Sequence, residues 1–442
     1  MTEWKQFFKG KRVTVVGLGL LGKRLGDITF LSECGAEVLV TDLKSAEELA
    51  LSIEKLKGYK SIKYALGGHR FEDFENRDFI LKGQGTPFDS PYILHARQKG
   101  IPIEMDESLF VKLAPKAKII GVTGTRGKST TTLLIYEILK KSGMRVHLGG
   151  NLKGMAALPL LKEIKDGDIV VFELSSWQLQ GFGEAKISPN VSVFTNFMPD
   201  HMNYYKNDME KYFADKYFIY KFQKQSDVLV LGTSMKDRIR GPKRKIVNTD
   251  IKDIPKGWNI QLKGEHNLEN IACALAVARS LNISDDTSKE AVENFKSSPG
   301  RLELVKEVNG IKIYNDTNSS TPDATTVALR ALGNSVKKNI VLIMGGSDKN
   351  LSFGDLYKYI IRYVKEVVLI PGNGTDRISP DLQRLKISLR VEKDLKHVVE
   401  KAYSLSKPGD VLLFSPAFAS FGMFDNEYDR GEKFLEIVKE LK

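Results

Sequence analysis

Short apolar runs recur along the whole chain, and a Gly-rich or polar turn and then a stretch of helical spacing follow most of them. The first run is Val13-Thr14-Val15-Val16, and the next is Ala36-Glu37-Val38-Leu39-Val40-Thr41-Asp42. The alternation continues through Asp78-Phe79-Ile80-Leu81. It resumes at Lys118-Ile119-Ile120-Gly121-Val122-Thr123, Asp168-Ile169-Val170-Val171-Phe172-Glu173 and Val191-Ser192-Val193-Phe194-Thr195. A last block opens near Gly300 with a hairpin expected across Asn309-Gly310, a favoured two-residue turn. Strands follow at Asn339–Met344, Glu366–Ile370 and Asp410–Phe414. Strands alternating with helices throughout predict an α/β protein whose sheets are mostly parallel and covered on both faces. The 442 residues, at about 100–200 per domain, divide best into three domains: 1–104, 105–299 and 300–442. The polar stretch Ser234–Lys256 reads as loops and short strands inside the central block.

Composition narrows the class. With 42% hydrophobic and 28% charged residues, each domain can bury its own core. No apolar run approaches the ~18–20 residues of a membrane span, and Met1-Thr2-Glu3-Trp4-Lys5-Gln6 lacks a signal-peptide design. A cytoplasmic location without a membrane span is therefore expected. The two cysteines, Cys34 and Cys273, lie in helix-like apolar patterns and read as buried reduced thiols. The six histidines form no zinc-type grouping. The net charge of +12 suits anionic partners. However, Lys and Arg are interspersed with Asp and Glu, and no nucleic-acid-binding signature is present. Small nucleotide-like substrates account for the charge equally well, and no nucleic-acid partner is expected.

Four motifs carry chemistry. Gly17-x-Gly19-x-x-Gly22 joins a strand to a helix, and Asp42 ends the next strand. The small residues let backbone approach a pyrophosphate at a helix N-terminus. The motif fits a nucleotide without naming it, an NAD enzyme included, and it also fits a plain packing turn. Gly121-Val122-Thr123-Gly124-Thr125-Arg126-Gly127-Lys128-Ser129-Thr130 is more specific. Its amides can wrap phosphate oxygens, Lys128 can reach the β/γ-phosphates and the Ser129 hydroxyl can sit near Mg²⁺. A helix is expected from Thr131 to Lys141, stopping at Gly143. Glu173 ends a strand at the edge where parallel sheets place ligands, either as a Mg²⁺ ligand or as a cap for the next turn. His201, after Asp200, is a metal ligand, a proton carrier or a structural histidine.

The segments Gly124-Thr125-x-Gly127-Lys128-Ser129-Thr130, Gly149-Gly150-Asn151, Glu173-Leu174-Ser175-Ser176-x-Gln178-Leu179 and Asn196-x-x-x-Asp200-His201-Met202 together resemble the Mur ligase family. Gly264-x-His266-Asn267-x-x-Asn270, Arg301, Asn315-Asp316-Thr317, Gly345-Gly346-x-Asp348-Lys349, Ser415-Pro416-Ala417-x-Ala419-Ser420 and Arg430-Gly431 follow in order. The resemblance spans essentially the whole chain, and the Glu173–Leu179 string is similar to the D-glutamate-adding member in particular. Folylpolyglutamate and cyanophycin synthetases share the phosphate loop but match the later segments less well.

The resemblance implies a Rossmann-like first domain, a phosphate-loop central domain and a Rossmann-like third domain. They bind UDP, ATP and the amino acid respectively. It implies a cytoplasmic, monomeric ligase of peptidoglycan precursor synthesis. Such an enzyme phosphorylates the carboxylate of UDP-N-acetylmuramoyl-L-alanine, and the amine of D-glutamate attacks the acyl phosphate. Gly124, Thr125, Arg126, Gly127, Lys128, Ser129 and Thr130 then hold ATP with Asn270, Arg301 and Asp316. Ser129 and Glu173 hold one Mg²⁺, and His201 and Lys216 hold a second, with Lys216 carbamylated. Lys128, His201 and Lys216 are the expected catalytic residues. Gly17, Leu20, Leu21, Asp42, Lys44 and Gly85 face UDP, Asn151 contacts the substrate, and Ser320, Lys349 and Ser420 grip D-glutamate. The third domain is expected to close on the second.

The chain departs from the family pattern at four places. Arg126 replaces the usual Asn of the phosphate loop, where its charge adds a phosphate contact. Asn318 stands where Lys is expected, and Glu427 where an aromatic residue is expected. Gln84-Gly85-Thr86 replaces Ser-Pro-Gly in the UDP-binding loop. The second and third changes bear on which amino acid is used. Two other readings compete: a NAD-dependent oxidoreductase resting on the first motif, and a non-catalytic binding protein on a ligase scaffold. The phosphate loop with Glu173 argues against the first; intact Lys128, Glu173, His201 and Lys216 argue against the second.

Overall fold

The computed structural model describes residues 3–18, 23–152, 154–202, 204–239 and 245–441. They form two compact units, Met1–Lys256 with Glu269–Val292, and Gly257–Leu268 with Glu293–Lys442.

The first unit holds two parallel sheets. Strands β1 (Arg12–Val16), β2 (Glu37–Asp42), β3 (Ile62–Leu66), β4 (Phe79–Leu81) and β5 (Ile103–Glu104) are ordered β3-β2-β1-β4-β5. The chain reverses direction across this sheet between β1 and β4, the kind of switch point at which open α/β sheets take ligands. Strands β6 (Lys118–Thr123), β7 (Val146–Gly150), β8 (Ile169–Glu173), β9 (Val191–Phe194), β10 (Val228–Leu231) and β11 (Lys245–Asn248) are ordered β11-β10-β9-β6-β8-β7. All pairings in both sheets are parallel. The central strands read as unbroken apolar runs because both faces are covered: Ile119, Ile120, Val122, Val170, Val171 and Phe172 are all buried.

In the second unit, β12 (Glu303–Val308), β13 (Ile311–Asn315), β14 (Ile340–Gly345), β15 (Val364–Ile370), β16 (Leu389–Val391) and β17 (Val411–Phe414) are ordered β12-β13-β17-β14-β15-β16. Among the described strands of this sheet, the β12–β13 pairing alone is antiparallel, joined by the expected hairpin with Val308 opposite Ile311. Asn309 and Gly310 take φ of 51° and 73°, the left-handed pair that matches the twist of a two-residue hairpin.

Two expectations shift in detail. The helix after the phosphate loop begins at Lys128, not Thr131, so Lys128, Ser129 and Thr130 are its first turn, where amide groups have no partner inside the helix. Cys34 lies just past the helix Lys23–Glu33 rather than inside it. Both cysteines are free and buried. Residues 240–244 of the polar stretch lie outside the described residues; its described part is irregular apart from β11 and short 3₁₀ turns. Among the described residues, no helix is long and apolar enough to cross a membrane.

Candidate functional site

Adjacent strands β6, β8 and β9 end at one edge of the central sheet, with Val122 beside Glu173 and Thr123 beside Phe194. The loop after β6 must turn sharply there. Gly124 takes a φ of 150°, and a Cβ on it would meet Thr195 Oγ1 at 1.9 Å. Gly127 takes 80° as the N-cap of the helix Lys128–Lys141, and a Cβ there would meet Asn270 Oδ1 at 2.1 Å. Only glycine tolerates both conditions. Asn270 also accepts from Thr131 Oγ1 at 3.3 Å, so it braces the back of the loop. Asn196 braces the front: its Oδ1 accepts from Arg126 N–H at 2.8 Å and its backbone oxygen from Thr125 N–H. Lys128 Nζ lies across the loop, donating to Gly124 O and Thr125 O at 3.2 and 3.1 Å. Ser129 is half-buried and Thr130 buried in the same turn.

Glu173 is buried at the end of β8. Its Oε1 accepts from Asn151 Nδ2 at 3.1 Å, and its Oε2 is buried without a hydrogen-bond partner. It does not cap the next helix. Ser175 and Gln178 do so reciprocally in a capping box, and Gln178 also donates to Glu107. Gly149-Gly150-Asn151 is explained by closeness to this carboxylate. A Cβ on Gly150 would sit 2.1 Å from Glu173 O, and Asn151 N–H donates to that oxygen at 2.8 Å.

Lys216 is expected at the site only through the family resemblance. A lysine in the polar-looking helix Met209–Lys221 reads as solvated, yet it is 1% exposed. Its Nζ donates to Gly124 O at 2.8 Å and to Thr123 Oγ1 at 3.4 Å, and it lies 4.9 Å from the Tyr212 ring centroid. Burial, then the neighbouring Lys128, push its pKa well below the ordinary lysine range. His201 has a φ of 54°, a region histidine enters more readily than most residues. Its ring packs 4.5 Å from Trp177. Burial lowers its pKa, Asp200 opposes this, and Lys128, Lys216 and Arg126 add to it. Arg126 Nη1 donates to Asp200 Oδ2 at 2.7 Å. Although burial works against it, Asp200 is held down at about 2, chiefly by Arg126 and then His201. Among the described residues, no three His, Cys, Asp or Glu side chains converge on a metal position. The buried, unpartnered Glu173 Oε2 nevertheless fits a cation, and the basic lining supplied by Lys128 and Arg126 fits phosphate oxygens.

At the β1 edge, Gly17 takes a φ of 83° and donates to Thr41 O at 2.8 Å. Asp42 accepts from Leu18 N–H at 2.7 Å and Lys44 N–H at 3.0 Å, so it also shapes its own turn. Gly85 lies in a turn after β4 with room around its Cα. Leu20 and Leu21 lie outside the described residues, as do Gly19 and Gly22.

In the second unit, Lys349 Nζ and Ser320 Oγ are 3.0 Å apart, and Ser420 is buried one residue beyond the Ser347–Ala419 bridge. Asp316 is buried at the end of β13; it accepts from Leu302 N–H and Ser415 Oγ, and burial pushes its pKa up to about 6. Arg301, after Gly300, is exposed. Arg430 belongs to a matching segment but carries no role in the sequence pattern. It is fully buried, donating to Thr317 O at 2.6 Å and Phe418 O at 3.1 Å, and thus holds two site loops together. Asn318 Nδ2 donates to Pro299 O at 3.2 Å, and Glu427 is exposed at the start of the helix Glu427–Glu440.

Comparison with known proteins bears on the whole chain. Residues 122–253 match the Mur ligase middle domain, and residues 300–418 match the domain described as Mur ligase, glutamate ligase domain. The UDP-N-acetylmuramoylalanine–D-glutamate ligase of Roseiflexus sp. (strain RS-1) is 36% identical, covering 97% of this chain and 98% of its own. The protein of the same name from Borreliella afzelii (strain PKo) is 37% identical, covering 98% of each chain. In fold, the chain is similar to the UDP-N-acetylmuramate–alanine ligase MurC of Thermotoga maritima, with a TM-score of 0.62 and 21% identity over 98% of this chain and 100% of that one. The phosphate loop, the strand-end carboxylate and the buried lysine beneath them thus occur in a chain matched along its length by one set of enzymes: it belongs to the Mur ligase family.

Proposed function

We propose that this protein joins the carboxylate of UDP-N-acetylmuramoyl-L-alanine to the amine of D-glutamate, with conversion of ATP to ADP and phosphate, as a cytoplasmic, monomeric enzyme of peptidoglycan precursor synthesis. The observation that carries this reading is identity of 36–37% to ligases of that name over nearly the full length of both chains. The grouping of Lys128, Glu173, His201 and Lys216 around one sheet edge supports it chemically. We take residues 1–104 as the UDP-binding domain, 105–299 as the ATP-binding domain and 300–442 as the amino-acid-binding domain.

A carboxylate is a poor electrophile. One of its oxygens bonds to the γ-phosphorus as the bond to ADP breaks, which turns that oxygen into part of a leaving group. The amine attacks the carbonyl carbon and loses a proton, and the tetrahedral intermediate expels phosphate to leave the amide. Lys128 and the first-turn amides of its helix bind the transferring phosphoryl oxygens. Ser129 and Glu173 would hold one Mg²⁺, and His201 with a carbamylated Lys216 a second. Bound Mg²⁺ supplies charge neutralisation between the carboxylate and the triphosphate. Asn151 orients the substrate and Glu173 together. Gly124, Thr125, Arg126, Gly127, Thr130, Asn270, Arg301 and Asp316 complete the ATP side, Gly17, Asp42, Lys44 and Gly85 the UDP side, and Lys349, Ser320 and Ser420 the D-glutamate side.

The direct test is phosphate release with ATP, Mg²⁺ and UDP-N-acetylmuramoyl-L-alanine across D-glutamate, L-glutamate, D-lysine, D-isoglutamine and glycine. Release is expected with D-glutamate alone. Release with another amino acid keeps the ligase chemistry and assigns the change to Asn318 and Glu427; no release with any of them sinks the reading.

Arg126 gives a second test. Its guanidinium sits in the phosphate loop and pairs with Asp200 beside His201. Arg126→Asn, which installs the residue usual in the family, is expected to raise the KM for ATP about 5-fold, on the order of 1 kcal/mol for a partly exposed charged contact. An unchanged KM for ATP would reduce Arg126 to a partner of Asp200 alone.

A further inference from the structure

Lys82 follows directly on β4 and is 0% exposed. Its Nζ donates to Gly83 O at 3.0 Å and Thr86 O at 2.6 Å, and it lies 4.5 Å from the Phe88 ring centroid. A lysine is rarely buried without a purpose, because removing an amine from water costs more than most single contacts return. Here both carbonyls belong to one loop, Gly83-Gln84-Gly85-Thr86, which Thr86 N–H closes onto Gly83 O at 3.3 Å. This loop stands at the β1/β4 switch point. It contains two glycines and no proline, so its own backbone supplies little stiffness. Gly83 itself is pressed into place, since a Cβ on it would meet Val16 O at 2.8 Å.

We propose that Lys82 is a positioning residue for the UDP moiety: by tying Gly83 O and Thr86 O to one nitrogen, it turns those carbonyls inward and leaves the amides of the loop to face the diphosphate. The inference rests on the reading of this edge as the UDP site. Four charged groups from packed elements face the amine: Arg24 and Arg97, which disfavour its charge, and Asp106 and Asp215, which favour it. Burial is the largest influence and brings the amine down to about 7. Either protonation state keeps at least two N–H groups, enough for both carbonyls.

The test compares full-length wild type with Lys82→Met, which keeps the apolar stem and removes the donors. UDP binding is measured by calorimetry and each KM by steady-state kinetics. UDP affinity should fall, and the KM for UDP-N-acetylmuramoyl-L-alanine rise, about 10-fold, with kcat and the KM for ATP within about twofold. Tm should fall only slightly, because loss of the two carbonyl bonds is offset by relief of a buried amine; a residue with a merely structural role would instead lower Tm strongly and leave the two substrates equally affected. If Lys82→Met does not fold, Phe88→Leu removes the ring beneath the amine, and UDP affinity should fall about 3-fold. Wild-type UDP affinity in the variant that folds would overturn the proposal while leaving the UDP reading intact. Failure of the wild type itself to bind UDP would overturn the UDP reading and the proposal with it.

Discussion

Replacing Lys216 with alanine is expected to lower kcat by about 10³-fold, roughly 4 kcal/mol of transition-state stabilisation, and short carboxylic acids such as acetate or formate are expected to restore part of it. The reason is the placement of the amine. It lies beneath the phosphate loop, sealed from solvent, 2.8 Å from Gly124 O. A protonated amine cannot attack CO₂. Burial and then Lys128 lower the pKa of Lys216 and so favour the neutral amine, which on this reading would form the nitrogen–carbon bond and release a proton, becoming an anionic carbamate. That group would add an anionic ligand where, among the described residues, no three acidic, His or Cys side chains converge. A small carboxylic acid diffusing into the cavity left by alanine replaces the anion but not the chain. Equal loss with no rescue by any carboxylic acid would reduce Lys216 to a strut on the loop backbone.

Glu173→Gln is expected to lower kcat by about 10²–10³-fold and to raise the Mg²⁺ concentration needed for half-maximal rate. Glutamine has the same shape and can still accept from Asn151, so the fold and the Gly149-Gly150-Asn151 turn should persist. What it removes is the negative charge at Oε2, a buried oxygen with no partner in the protein. The measurement is a Mg²⁺ titration of phosphate release alongside thermal unfolding. An unaltered Mg²⁺ requirement would show that the carboxylate serves only to hold Asn151.

Much of this was legible because the patterns involved are local. Unbroken apolar runs mark β6, β8 and β14 as strands buried on both faces, and Asn309-Gly310 marks its hairpin through backbone conformation alone. Glu173 is readable because a carboxylate ending such a run must stand at the sheet edge. The illegible residues depend on packing between segments far apart in sequence. Lys216 is named only by the family resemblance; in its helix it lies among tyrosines, lysines and phenylalanines, and only the approach of that helix to β6 decides which face is covered. Lys82 looks like the solvated end of a strand until Phe88 and the turn fold over it. Arg126 reads as a phosphate contact, and its bond to Asp200 depends on a loop beyond β9. The start of the helix at Lys128 was missed because the same residues spell a phosphate loop and a first helical turn.

Strand β6 lies between β8 and β9, and its loop leans on Asn196, Lys216 and Asn270. A chain made from its N-terminus therefore emerges with the phosphate loop well before any of these supports. During synthesis, the loop has no means of holding the shape that glycines 124 and 127 permit until residues as distant as Asn270 have left the ribosome. Nascent chains should consequently be blind to nucleotide until late in translation, however early the first sheet condenses.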